Sequence, residues 1–301
     1  MPELEFEVVH RPRGSVLFES LRWNSDAACF QWVDIECSRL YRWNEASGEI
    51  ASVVLPFRYL PLALPISADV SLVASESCLY RFSWINTTLE HVLSLPVPAG
   101  ARLNDGNFDA EGNLWIGSMN IAGTGNRGSL YCVSPELVVD VARDGVGISN
   151  GCVPHPDGGV LHIDTPTRCI NRVVRDEQDF RIEPFAEVEG PGVPDGMAVV
   201  PDGVWVAIWG GARIDRFGFD GTRYAPLPVA RRYPTSLAVG GTRGGKVAFT
   251  SATGDEEGRR DPEAMFSIGE PVLKVGATSA GEIDIRAGVS GARRWESNRG
   301  D

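Results

Sequence analysis

The sequence predicts an all-β chain, a six-bladed β-propeller with four-stranded antiparallel blades around a central channel, and three observations predict it. Blocks of about 45 residues recur along the chain, each reading strand, turn, strand, gap, strand. The 34 Gly and 20 Pro are spread over all 301 residues, which favours many turns and short strands over long helices. No stretch of a dozen residues has the apolar spacing of an amphipathic helix.

The blocks follow in order. The first runs from Trp23 to Trp43 through CFQWVDI and SRLYRW, and the second from Ser71 to Trp84 through SLVAS and SCLYRFSW. A third begins at Asn104 and passes through NFDAEGNLWIGSM to GSLYCV. The fourth runs from Asn150 through HPDGGVLHIDT to CINRVV, and the fifth from Asp195 through VVPDGVWVAIW to RIDRFGFDG. The last starts near Pro234 with SLAVGG, then KVAFTSA and MFSI. Alternation and β-branched or aromatic content mark the strands, while Glu111-Gly112-Asn113, Asp202-Gly203 and Asp220-Gly221 mark hairpin turns. The segment Phe6 to His10 is placed as the strand that completes the last blade and removes an open edge. Residues 1–285 thus form one domain, and the polar stretch 286–301 is read as a flexible tail.

A net charge of −12 excludes a basic face for nucleic acid. No apolar run reaches the roughly 18 residues of a membrane span. The N-terminus lacks an apolar signal core, and the six cysteines form no CxxC pair, so a cytoplasmic protein with reduced thiols is expected. The partner expected is a small-molecule substrate, with no nucleic acid and no membrane. Nothing argues an oligomer, and monomer is the default.

Three segments carry chemistry: Arg102-Leu103-Asn104-Asp105-Gly106, Ser149-Asn150-Gly151 and Pro194-Asp195-Gly196. Asn and Asp before Gly are also ordinary turn residues, because they tolerate positive φ. Their recurrence at strand starts gives them a second meaning. Inner strands of radial blades begin at one mouth of the channel, so Glu19, Asn104, Asn150 and Asp195 are expected to converge there. Two carboxylates with amide oxygens suit a hard cation such as Ca²⁺ or Mg²⁺, and the lack of a His or Cys cluster weighs against structural zinc or copper.

RLNDGNFDAEGNLWIGSM, ISNGCVPHPDG, GVPDGMAVVPDGVWVAIWGGARIDRF and PTSLAVGG, with LFESLRW more weakly, resemble the senescence marker protein (regucalcin), gluconolactonase and luciferin-regenerating enzyme family over roughly residues 16–270. The resemblance implies a propeller holding one divalent cation in its channel, with Ca²⁺ first and Mg²⁺, Mn²⁺ or Zn²⁺ as alternatives, and hydrolysis of a lactone. It assigns Glu19, Asn150 and Asp195 to the metal, Arg102 and Asn104 to the substrate, and the general base to Asp195.

The chain departs from this pattern in two places. In LFESLRW, Phe18 and Leu21 stand where the family has Gly and Pro. The Gly-rich stretch Asn120 to Asn126 stands where sugar lactonases often supply an acidic residue, and it reads as a lid over a less sugar-like substrate or as an ordinary loop. Organophosphate or ester hydrolysis, a biosynthetic cyclisation and a non-catalytic scaffold are the competing functions. His155 and His162 are read as structural. Asp164-Thr165 is placed facing the channel. Trp115, Trp205 and Trp209 fit blade packing, with Trp209 bordering the pocket.

Overall fold

Period-two alternation becomes four-stranded antiparallel sheets in the computed structural model, which describes residues 6–177, 179–242, 245–253, 266–269 and Trp295. Blade 1 comprises Phe18–Asn24, Cys29–Asp34, Arg39–Asn44 and Ile50–Val54, innermost strand first. Blade 2 comprises Leu62–Pro65, Val70–Ala74, Cys78–Ser83 and Thr88–Ser94. Blade 3 comprises Ala101–Phe108, Leu114–Asn120, Gly128–Val133 and Val139–Val146. Blade 4 is built from Ser149–Pro154, Val160–Asp164, Cys169–Asp176 and Asp179–Glu187. Blade 5 is built from Val193–Val200, Gly203–Trp209, Arg213–Gly218 and Arg223–Pro228.

The expectation of six like blades needs correction. Five blades are each made of four consecutive strands; the remaining four-stranded sheet is composite, with Pro234–Gly240, Lys246–Ser251 and Phe266–Gly269 completed by the N-terminal strand Phe6–His10. The physical reason lies in the edge. Phe266–Gly269 would otherwise expose unpaired N–H and C=O groups, and pairing with Phe6–His10 removes them. Residues 1–5, the stretch 254–265 and, apart from Trp295, the segment 286–301 lie outside the described residues.

Every strand has a place in a burial gradient. Cys29–Asp34 is buried throughout, whereas Arg223–Pro228 on the rim is almost wholly exposed. The apolar clusters lie at the seams between neighbouring sheets, so each seam is a small hydrophobic core. Phe18 and Leu21 join Trp32 and Tyr41 of blade 1 against Ala238 and Ala248 of the closing sheet. These two departures from the family pattern are therefore core residues. Phe18 sets its ring edge-on to Trp32 and Tyr41, with centroids 6.0 and 5.3 Å apart.

Trp295 departs from the reading of 286–301 as a loose tail. It is buried in the seam between blades 2 and 3, its ring 5.7 Å from that of Phe108, and its Nε1 donates to Gly112 O at 2.9 Å. The innermost strand of blade 2 has only four residues, and the indole packs in the seam that this short strand forms.

The feature that places the site is a bulge. Between Glu19 and Arg22, Leu103 and Gly106, Asn150 and Val153, Pro194 and Met197, and Pro234 and Leu237, the inner strand advances three residues against two on its neighbour. One extra residue per strand bends the backbone and re-aims its side chains. Blade 2 has no such bulge. At equivalent bulge positions Ser20 and Gly151 take left-handed conformations, with φ of 53° and 46°. The Ser20 hydroxyl accepts from Ala63 N at 3.0 Å, which ties this strained residue to blade 2.

Candidate functional site

The bulges bring the motif residues to one end of the channel, where Glu19, Arg102, Asn104, Asp105, Asn150 and Asp195 are all buried although charged or polar. Their hydrogen bonds fix which atoms are spoken for. Arg102 Nη1 donates to Leu103 O at 2.9 Å and to Asn104 Oδ1 at 2.6 Å. Because guanidinium only donates, the Asn104 oxygen must face it. The Asn104 Nδ2 then donates to Ser149 O at 2.9 Å and Asn150 Oδ1 at 2.8 Å. Asn150 in turn donates through Nδ2 to Thr165 Oγ1 at 2.9 Å, and that hydroxyl donates to Pro194 O at 2.8 Å. Blades 3, 4 and 5 are thus linked by one directed chain of bonds.

The two carboxylates expected as ligands have few donors. Among the described residues Glu19 accepts from Ser20 N alone, at 3.2 Å, and no hydrogen bond to the Asp195 carboxylate is found. Burial, then the charge of Asp105, pushes the Glu19 carboxyl up to about 8, against the opposing pull of Ser20 N–H, Arg22 and Arg102. Asp195 is pushed well above the carboxylate range by burial, then by the charges of Glu19 and Asp105. Such shifts mean that burial and the repulsion among these carboxylates outweigh whatever attraction nearby guanidinium groups supply.

A cation fits this donor set. Two buried, under-satisfied carboxylates and the Asn150 oxygen, its amide held by Thr165, are oxygen donors of the kind hard divalent ions take. The channel metal site expected from the sequence is not found as such: among the described residues no group of three or more His, Cys, Asp or Glu side chains could hold a metal ion. Here the third donor is an amide. Asn104 offers the neighbouring position an N–H, because Arg102 engages its oxygen.

Arg102 itself is buried, with burial lowering its pKa, and its guanidinium lies 5.5 Å from the Tyr59 ring centroid. Thr165 was expected to face the channel, whereas Tyr59, Arg22 and Asp105 were not singled out as site groups by the motifs. Asp105 sits inside the NDG motif, where it reads as a turn residue. It accepts from Gly106 N at 2.8 Å and Gly151 N at 2.9 Å, and pairs with Arg22 at 3.1 Å.

Other candidates fall elsewhere. His155 Nε2 meets Phe219 O at 3.1 Å between two phenylalanine rings. His162 is fully buried, its Nε2 2.8 Å from Ser149 Oγ, and burial, followed by the nearby Arg143 charge, lowers its pKa to about 3. Asp164 accepts from Gly147 N at 3.0 Å and holds that loop, whereas Thr165 beside it reaches Asn150. Trp115 and Trp205 are buried in blade seams, and Trp209 stacks at a tilt on Tyr233, centroids 5.2 Å apart. The Asn120 to Asn126 stretch is an exposed loop at the mouth, held by Asn120 Nδ2 donating to Thr124 O at 2.7 Å. No helix among the described residues is long and apolar enough to cross a membrane.

Fold and site together define a β-propeller whose inner strands gather a cluster of buried, oxygen-bearing side chains at their bulges. Residues 17–253 match the SMP-30/Gluconolactonase/LRE-like region, and the chain belongs to that family. It is 31% identical over 242 residues to a 6-deoxy-6-sulfogluconolactonase of Pseudomonas putida, covering 78% of this chain and 82% of that protein. It is 29% identical over 252 residues to an L-arabinolactonase of Azospirillum brasilense, covering 79% and 81%. A crystal structure described as a calcium-binding protein, regucalcin, from Agrobacterium tumefaciens superposes with a TM-score of 0.78 at 24% identity, covering 91% of this chain and 98% of that one.

Proposed function

We propose that this chain hydrolyses the ester bond of a small sugar-type lactone, with Glu19, Asn150 and Asp195 holding a divalent cation. Relatives named as lactonases support the reaction class, and the regucalcin likeness supports a cation. The observation that carries the reading is the Asp195 carboxylate, buried without a hydrogen-bond donor among the described residues and raised in pKa beside Glu19. A bound divalent ion supplies Lewis-acid polarisation of the lactone carbonyl.

The chain's own groups do the rest. Asp195 takes a proton from the attacking water as the water oxygen bonds to the carbonyl carbon. The ring C–O bond then breaks, and the proton passes to the departing alcohol oxygen, leaving a hydroxy acid. Arg102 holds the substrate's oxygens, oriented by its bond to Asn104 Oδ1, and burial of Arg102 strengthens each bond it donates.

Proton release from a panel of lactones, with EDTA or with added Ca²⁺, Mg²⁺, Mn²⁺ or Zn²⁺, tests this directly. Chelator-sensitive turnover that Asp195→Asn abolishes is the expected result. Turnover unaffected by that substitution removes Asp195 as the base. No turnover on any lactone overturns the reaction.

A further inference from the structure

Deeper in the channel than the proposed ligands lies a second polar contact, between blades that are not neighbours. Arg22 of blade 1 reaches past blade 2 to blade 3, where Nη2 donates to Asp105 Oδ1 at 3.1 Å and to Gly106 O at 2.8 Å. Its Nη1 donates back to Leu21 O at 2.8 Å, inside its own bulge. Asp105 extends the contact to blade 4, its Oδ2 accepting from Gly151 N at 2.9 Å. Blade 2 leaves the way open, because its inner strand Leu62–Pro65 is short, apolar and unbulged.

Each anchor adjoins a residue of the site. Leu21 and Arg22 lie two and three residues after Glu19 on the same bulged strand, Asp105 follows Asn104, and Gly151 follows Asn150. Each anchor also lies in or beside a bulge, where the ladder is broken and sheet bonding alone does not set side-chain direction. Unlike Glu19 and Asp195, Asp105 is saturated with donors: two backbone N–H groups and one guanidinium. Its oxygens are committed to protein.

We propose that Arg22 and Asp105 form a positioning pair, a crossbrace that fixes the three bulged strands so that Glu19, Asn104 and Asn150 meet at one point. The consequence for ion and substrate rests on the function proposed above; the brace itself is a property of the backbone and is tested separately.

The first measurement is amide hydrogen exchange of the full chain without added metal, comparing wild type with Asp105→Asn, Arg22→Met and Arg22→Lys. Loss of the acceptor or of the fork should speed exchange at Gly151 and Gly106 at least tenfold and leave amides of blade 5 unchanged. Arg22→Lys keeps the charge without the fork and should fall between; it also serves if Arg22→Met does not fold. The second measurement is calorimetric titration with Ca²⁺. The affinity should fall at least tenfold in Asp105→Asn and Arg22→Met, kcat should fall more than KM rises, and the double variant should be no worse than the worse single. Unchanged exchange at Gly151 in Asp105→Asn overturns the brace, whatever activity does. Faster exchange with Ca²⁺ affinity within twofold of wild type, or additive losses in the double variant, overturns its role at the site. A wild-type chain that binds no divalent ion and hydrolyses no lactone defeats the proposed function, and Gly151 exchange still decides the brace.

Discussion

The Arg102 guanidinium donates to the Asn104 amide oxygen at 2.6 Å, and this bond decides which end of that amide faces Asn150. A donor-only cation on one side turns the amide N–H groups to the other, where Ser149 O and Asn150 Oδ1 accept them. Arg102→Lys keeps the charge but gives up the planar fork. A hydrogen bond to a charged group contributes about 1.5–3 kcal/mol, so kcat/KM should fall roughly 10- to 100-fold. Lactone kinetics at saturating and limiting substrate check this, and an unchanged KM would remove Arg102 from substrate binding.

The buried carboxylates make the metal-free chain sensitive to alkali. Glu19 has its carboxyl raised to about 8 in the fold, so the folded chain holds a proton there that the unfolded chain releases above the ordinary carboxylate range. That contribution is complete at low pH and is lost as pH rises through about 8; Asp195, also raised, acts in the same direction. His162 works oppositely, because its folded pKa near 3 penalises stability once pH drops below its unfolded value of 6.5. The window from pH 6.5 to 9 isolates the carboxylates. Tm without metal should fall across it, Glu19→Gln should flatten the fall, and saturating Ca²⁺ should reverse it. A flat wild-type profile would contradict the raised carboxyl.

Gly117 has no room for a side chain. A Cβ there would lie 1.6 Å from Ser149 Oγ and 2.2 Å from Ser149 Cβ. Gly117→Ala must displace Ser149, the residue whose carbonyl holds Asn104 and whose hydroxyl meets His162. Overpacking of this kind costs about 1–3 kcal/mol. Thermal unfolding should register that loss, and lactone turnover should drop with it. Combining it with Ser149→Gly, which removes the clashing atoms, should recover part of the Tm.

Trp295 supplies a separate stability test far from the chemistry. Trp295→Ala deletes the indole from the seam of blades 2 and 3 and removes its bond to Gly112 O. Truncating a buried Trp to Ala costs about 3–5 kcal/mol. Denaturant unfolding should show a lower midpoint while Ca²⁺ affinity stays at the wild-type value.

Block periodicity and turn residues made the β architecture legible, even where a strand buried on both faces, such as Cys29–Asp34, shows no alternation. Glu19, Asn150 and Asp195 were legible through recurrence of short motifs at strand starts. The register was not. Sequence spacing treats Asn104 and Asp195 as counterparts of Glu19 and Asn150, yet the bulges offset them by one: Glu19 and Asn150 are the last paired residues, whereas Asn104 and Asp195 are the first unpaired ones. Arg22 stayed hidden because its partner is far along the chain, 83 residues away. Trp295 stayed hidden because a lone aromatic in a polar stretch carries no periodic signal.

The pairing of Phe6–His10 with Phe266–Gly269 also governs how the chain can assemble. During synthesis the first strand emerges some 260 residues before its partner, a separation that spans nearly the whole polypeptide. Blades 1 to 5 can form in sequence as they leave the ribosome, each from its own consecutive strands, but the ring stays open until Phe266–Gly269 has emerged. For that interval the flank of blade 1 that the closing sheet will cover, with Phe18 and Trp32 at its centre, has no partner. Nascent molecules of this protein should therefore be most vulnerable to aggregation late in elongation, just before the ends meet.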